Sequence, residues 1–164
     1  MKYLLIALVA LLIACNNAAE PAPEVNKTAA VPTLPSMDLR TADGSYINLS
    51  SLKGKKIFVN LWATWCPPCR AEMPGIQRLA GKVDSSKVAF VMLSLDEEFE
   101  AATRYAKQTK LNLPVYHPAS GLPTLFQTGG IPVTYIFNEA GELIFRHDRA
   151  DNYDQPKFVE MLNN

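Results

Sequence analysis

The sequence predicts an α/β domain in which a mixed β-sheet is flanked by helices, and three features carry that prediction. KKIFVNLWA, residues 55–63, and VAFVMLSL, residues 88–95, are short runs of β-branched, aromatic and aliphatic residues, the composition of strands buried on both faces. A helical pattern lies between them, so the two strands are joined by a crossover and run parallel. Further on, VTYIFN and ELIFRH flank the turn Glu139-Ala140-Gly141, a link short enough to require an antiparallel pair. Parallel and antiparallel pairs in one chain give a mixed sheet.

The chain opens on MKYLLIALVALLIAC, a lysine followed by an apolar run and small residues, which reads as a secretory signal peptide over residues 1–14. Its apolar stretch, Tyr3 to Ala14, falls short of the ~20 residues that a membrane-spanning helix needs. Leu12-Ile13-Ala14-Cys15 resembles the bacterial lipobox, and the resemblance implies that Cys15 becomes the diacylated first residue of the mature chain. Each buried methylene contributes ~0.8 kcal/mol, so several acyl chains together anchor stably. That implies a membrane-attached protein outside the cytoplasm. Residues 15–35 are rich in Ala and Pro and lack an apolar period, as in an extended tether that reaches ~3.1 Å per residue. The folded domain is expected over residues 36–164, long enough to bury about two thirds of its unfolded surface.

Within the domain, Asp43-Gly44 between two short alternating segments predicts an N-terminal hairpin. KKIFVNLWA follows, and Pro67 to about Leu79 is predicted to be a helix, with Pro67 and Pro68 in the first turn, where a missing N–H costs little. After VAFVMLSL, the segment from Glu97 to about Lys110 places Phe99, Ala102, Tyr105 and Ala106 on one helical face. LPVYHP reads as a loop, Leu122 to Gln127 as a short helix, and Gln155 to Leu162 as a final helix.

Loss of Lys2 with the signal leaves fifteen basic residues against sixteen acidic ones. Nucleic-acid binding rests on clustered Lys and Arg that neutralise phosphates, so that class is set aside. The chemistry is concentrated in NLWATWCPPCRAEMP, where Cys66 and Cys69 stand at the strand-to-helix junction. Free N–H groups and the helix dipole at such a junction stabilise an anion, and a thiol there ionises below the free value of about 8.5. Cys69, one turn further along, can resolve a mixed disulfide formed at Cys66. A purely structural bridge across so small a loop would remove little unfolded-state entropy. Zinc would need two further ligands, yet no second cysteine pair exists and His117 and His147 lie thirty positions apart. Arg70, standing where haem attachment requires His, removes that reading too. No metal and no cofactor are implied.

These residues resemble the thioredoxin superfamily and, within it, the extracytoplasmic, membrane-tethered branch known as TlpA, ResA and CcmG. The resemblance rests on VNLWATWCPPC, on Pro74 at the position of the family's helix-kinking proline, and on Ile131-Pro132 before VTYIFN, similar to its cis-proline loop. It implies a thioredoxin-like three-layer fold with a helix and strand inserted between Leu95 and Tyr116. It also implies a cis Pro132 against the cysteines, with the Ile131 backbone free to pair with an extended substrate. Asn60 occupies the place where cytoplasmic thioredoxins bury an aspartate that handles the second cysteine's proton. In ResA-like members an acid three positions after that cysteine is thought to serve, and here it is Glu72. Trp65 is expected to shield the disulfide and Trp62 to pack in the core.

The resemblance implies a thiol–disulfide oxidoreductase acting as a reductant of disulfides in exported proteins, apocytochrome c among the candidates. Electrons would come from a membrane thiol transporter, and a monomer is expected. Disulfide donation to exported proteins is the same chemistry reversed. A peroxidase of the peroxiredoxin type would need Thr and Pro three and seven positions before the reactive cysteine, where this chain has Ala63 and Val59. A module that only holds a partner would survive alkylation of Cys66, whereas electron transfer would not.

Overall fold

In the computed structural model, residues 30–164 are described, so the signal peptide, Cys15 and most of the tether lie outside them. β1 (Asp38–Thr41) and β2 (Tyr46–Asn48) form a hairpin turned at Gly44, whose φ of 88° suits a residue without Cβ. A 3₁₀ turn at Leu49–Leu52 leads to β3 (Lys56–Trp62), which feeds α1 (Pro67–Ala80). Then come β4 (Val88–Ser94), α2 (Phe99–Thr109) and β5 (Val115–Pro118). A 3₁₀ turn at Thr124–Phe126 precedes β6 (Val133–Phe137), β7 (Leu143–His147) and α3 (Pro156–Asn163).

The seven strands form one sheet in the order β2-β1-β5-β4-β3-β6-β7. β3 lies next to the central strand β4, pairing with it in parallel and with β6 antiparallel, so it is one of two points, with β5, where the mixed sheet changes sense. Its side chains alternate between two cores: Phe58, Asn60 and Trp62 face one side, Ile57, Val59 and Leu61 the other, and all are buried. Both crossovers, β3-α1-β4 and β4-α2-β5, step across the sheet in the same direction, so right-handed connections put both helices on one face. α3 joins them there through Phe158 and Leu162. The opposite face is covered by the N-terminal segment and the two 3₁₀ turns, through Leu34, Leu49 and Phe126.

Three local readings differ from this structure. LPVYHP is not a loop: Val115–Pro118 forms β5, held between β4 and the hairpin strand β1, where pairing with two neighbours outweighs its proline content. The helix read at Leu122–Gln127 is a single 3₁₀ turn, confined between Pro123 and the Gly129-Gly130 pair. Packing also begins before Ser36. Thr33 bridges to Glu142, Leu34 donates its N–H to Gly141 O at 2.7 Å, and Leu34 is buried. No helix among the described residues is long and apolar enough to cross a membrane.

Candidate active site

The site grows out of the end of β3. Ala63 to Trp65 turn the chain, with Cys66 N donating to Ala63 O at 3.1 Å, and α1 starts at Pro67. Asp96, just past the end of β4, fixes this turn. Its buried carboxylate accepts the Thr64 N–H at 3.1 Å, the Thr64 hydroxyl at 2.6 Å and the Ser94 hydroxyl at 2.8 Å. The Asp96 carbonyl lies 3.0 Å from His117 Nε2 on β5, so three strands contribute to the anchor. Nothing in the spacing of the sequence singled out Asp96. The one available signal was a lone acid directly after a buried strand.

Cys66 is the N-cap of α1, its Sγ accepting the Cys69 N–H at 3.2 Å, the place where orphan helix N–H groups need an acceptor. Cys66 and Cys69 are joined as a disulfide, with Cα atoms 5.3 Å apart. The two are not equally accessible: Cys66 keeps 3% of its surface and Cys69 none. The Ile131–Pro132 peptide is cis, and Ile131 O stands 3.7 Å from Cys66 Sγ. Pro67 and Pro68 are exposed on the first turn of α1. Trp65 is 66% exposed, presenting most of its indole to solvent immediately before Cys66, whereas Trp62 is fully buried against Tyr105.

Glu72 lies one turn beyond Cys69 on the buried side of α1. Its Oε1 accepts from Asn60 Nδ2 at 2.7 Å and its Oε2 from the Asp151 N–H at 3.2 Å. None of its hydrogen bonds among the described residues involves Cys69, whose sulfur in the disulfide has no proton to give. Burial is the main influence on this carboxyl and raises it from 4.5 to about 7, against the opposing pull of the Asn60 and Asp151 donors. A surface cleft of about 390 Å³, lined by Glu72, Pro74, Gly75 and Asp151 among others, opens beside it. Asn60 is fully buried, and its second N–H contact is Thr134 Oγ1 on β6, at 2.9 Å. The sequence singles out Asn60 and Glu72 but not Thr134, Asp151 and Tyr153, which bond to them or to one another from distant parts of the chain and carry no local spacing.

A thioredoxin-like sheet, with a cysteine pair at the head of the first helix and a cis proline across from it, defines a thiol–disulfide class of site. The family model described as AhpC/TSA matches residues 31–146, and the chain belongs to that family. It is 37% identical over 102 residues to the thiol-disulfide oxidoreductase ResA of Oceanobacillus iheyensis, covering 62% of this chain and 53% of that protein. It is 35% identical over 109 residues to the thioredoxin-like protein YneN of Bacillus subtilis, covering 65% and 64%. The crystal structure of StoA from Bacillus subtilis superposes with a TM-score of 0.65 at 26% identity, over 79% of this chain and 99% of that one. The chain thus spans about half to two thirds of the length of these curated relatives.

Proposed function

We propose that this protein is an extracytoplasmic thiol–disulfide oxidoreductase that reduces disulfides in exported proteins and is held to a bacterial membrane by lipid on Cys15. The observation that carries the proposal is the Cys66–Cys69 bridge at the N-terminus of α1, with Cys66 the less completely buried of the two and the Ile131 carbonyl beside its sulfur. In the reduced protein the Cys66 thiolate, stabilised by the Cys69 N–H, attacks a substrate sulfur and expels the other as a thiolate. Cys69 then gives its proton to Glu72 and attacks Cys66 Sγ. The second substrate thiolate leaves, and the Cys66–Cys69 disulfide carries the two electrons' worth of oxidation. Protons taken up by the two substrate thiolates complete the balance. The Ile131 backbone supports an extended substrate segment by main-chain pairing.

Cys66 and Cys69 are the reacting groups in this reading, with Trp65, Pro67, Pro68 and Pro132 shaping the surface around them. Electrons return through a membrane thiol transporter, and the acting form is a monomer. Apocytochrome c is one candidate substrate. The AhpC/TSA family name also covers peroxidases, but the positions where peroxide activation needs Pro and Thr are Val59 and Ala63, both fully buried and apolar. Replacing Cys69 by Ser tests the reading: mixed disulfides to Cys66 should accumulate with exported proteins, and their absence would overturn it. The direction is tested by equilibrium with glutathione, where a reductase should lie near the thioredoxin value of about −270 mV. A potential near the −120 mV of strong oxidants would reverse the assigned direction.

A further inference from the structure

The buried polar chain behind Glu72 is longer than the proton-handling reading requires. Tyr153, in the segment before α3, donates its hydroxyl to Thr134 Oγ1 at 2.7 Å. Thr134 Oγ1 also accepts Asn60 Nδ2 at 2.9 Å, and the same nitrogen reaches Glu72 Oε1 at 2.7 Å. Tyr153, Thr134 and Asn60 are all fully buried. They come from β3, β6 and the approach to α3, and Tyr153 lies beyond the residues matched by the family model.

The orientation of the Asn60 amide is the informative detail. Its Oδ1 is buried and has no donor among the described residues, a state that costs about 1–3 kcal/mol. The amide nevertheless points its nitrogen at two oxygens, so those acceptors determine which way it faces. Thr134 Oγ1 presents a lone pair to Asn60 while Tyr153 donates to it from another side. Turned over, the amide would set its own oxygen 2.7 Å from a carboxylate oxygen, a repulsive contact unless a proton lay between them.

We infer that Thr134 and Tyr153 are positioning residues for the redox site, acting through the Asn60 amide to hold the ionised form of Glu72. The inference rests on the reading of Glu72 as acceptor of the Cys69 proton. Two donors converge on Thr134 Oγ1 and the Asn60 amide nitrogen serves two acceptors, so the chain acts by fixing the direction of each group. Without Tyr153 the Thr134 hydroxyl turns to donate, the amide loses its fixed orientation, and the proton on Glu72 is retained to higher pH. Burial already holds the Glu72 carboxyl high, so this adjustment falls near neutrality, where it affects turnover.

Other charged groups face this carboxyl as well. Asp151 donates its N–H to Glu72, and its own carboxylate disfavours ionisation of Glu72. Asp151 Oδ2 lies 3.5 Å from Lys157 Nζ and 3.9 Å from His147 Nε2. At the cleft, Arg78 pairs with Asp154 at 2.8 Å. Substitutions at Thr134 and Tyr153 leave all of these in place.

The test uses the oxidised full-length chain in detergent, with glutamate labelled at the carboxyl carbon, and Tyr153→Phe, Thr134→Val and Thr134→Ser variants. The Glu72 resonance is identified by its loss in Glu72→Gln. Its titration midpoint should rise by about half to one pH unit in Tyr153→Phe and Thr134→Val, and Thr134→Ser, which keeps the hydroxyl, should restore it. The acidic limb of the pH profile for insulin reduction should move by the same amount. Unchanged Glu72 midpoints in both variants would overturn the inference. A moved midpoint with an unmoved rate profile would instead uphold the chain and refute Glu72 as the base for Cys69. If Thr134→Val fails to fold, Tyr153→Phe, which keeps its ring, decides the matter.

Discussion

Replacing Glu72 by glutamine should stabilise the oxidised protein at pH 8 relative to pH 4. In the unfolded chain this carboxyl ionises near 4.5, whereas in the fold burial holds its proton to about pH 7. Between those limits the native state binds a proton that the unfolded state has lost, so stability falls as the pH rises. At 1.36 kcal/mol per pH unit, the rise from 4.5 to about 7 corresponds to about 3 kcal/mol, fully lost above pH 7. Glutamine has no such proton. The wild-type stability minus that of the variant should therefore be constant below pH 4.5, fall by about 3 kcal/mol through that window, and level off. Guanidinium unfolding of both oxidised proteins from pH 4 to 9, followed by tryptophan fluorescence, measures it, and the midpoint difference should change by roughly 1 M. A difference independent of pH would refute the argument that Glu72 is held protonated by burial.

Four further substitutions have defined outcomes. Gly75 sits within α1, and a Cβ there would meet Tyr153 N at 3.5 Å, an ordinary contact, so Gly75→Ala should raise stability by about 1 kcal/mol through helix propensity. Gly75→Leu should lower the melting temperature by pushing α1 off the Asn152–Asp154 backbone. Asp96→Ala strands the Thr64 N–H and the hydroxyls of Thr64 and Ser94, and should cost about 3–5 kcal/mol in urea unfolding. Phe58→Ala removes a ring packed 5.1 Å from Phe90 and 5.2 Å from Tyr153, at a cost of about 3–5 kcal/mol by the same measurement.

What the sequence revealed and what it hid follow from range. The strands of the central sheet declare themselves because burial on both faces makes most of their positions apolar, as from Ile57 to Val59 and from Val91 to Leu93. The cysteine pair is local, three positions along one helix start, so its chemistry is legible as a motif. β5 is not: Val115 to Pro118 becomes a strand only because β1 and β4 leave it backbone partners, and no window containing two prolines reports that. Asp96 and Tyr153 escape for a related reason. Each reaches its partner from another element, across 32 positions to Thr64 and 19 to Thr134, and side-chain pairing over such distances leaves no period to read.

The bridge between Thr33 and Glu142 fixes where the chain enters the fold. β6 starts beside the cysteines, where Val133 pairs with Leu61, and ends at the opposite pole, where Phe137 pairs with Ile57. Glu142 follows the turn beyond that far pole, so the segment leading in from residue 30 arrives there. At about 3.3 Å per residue, the length of β6 alone separates that entry from the disulfide by well over 10 Å. A domain suspended by that end would hang with its reactive face turned outward, and its mount and its working tip would not compete for the same space.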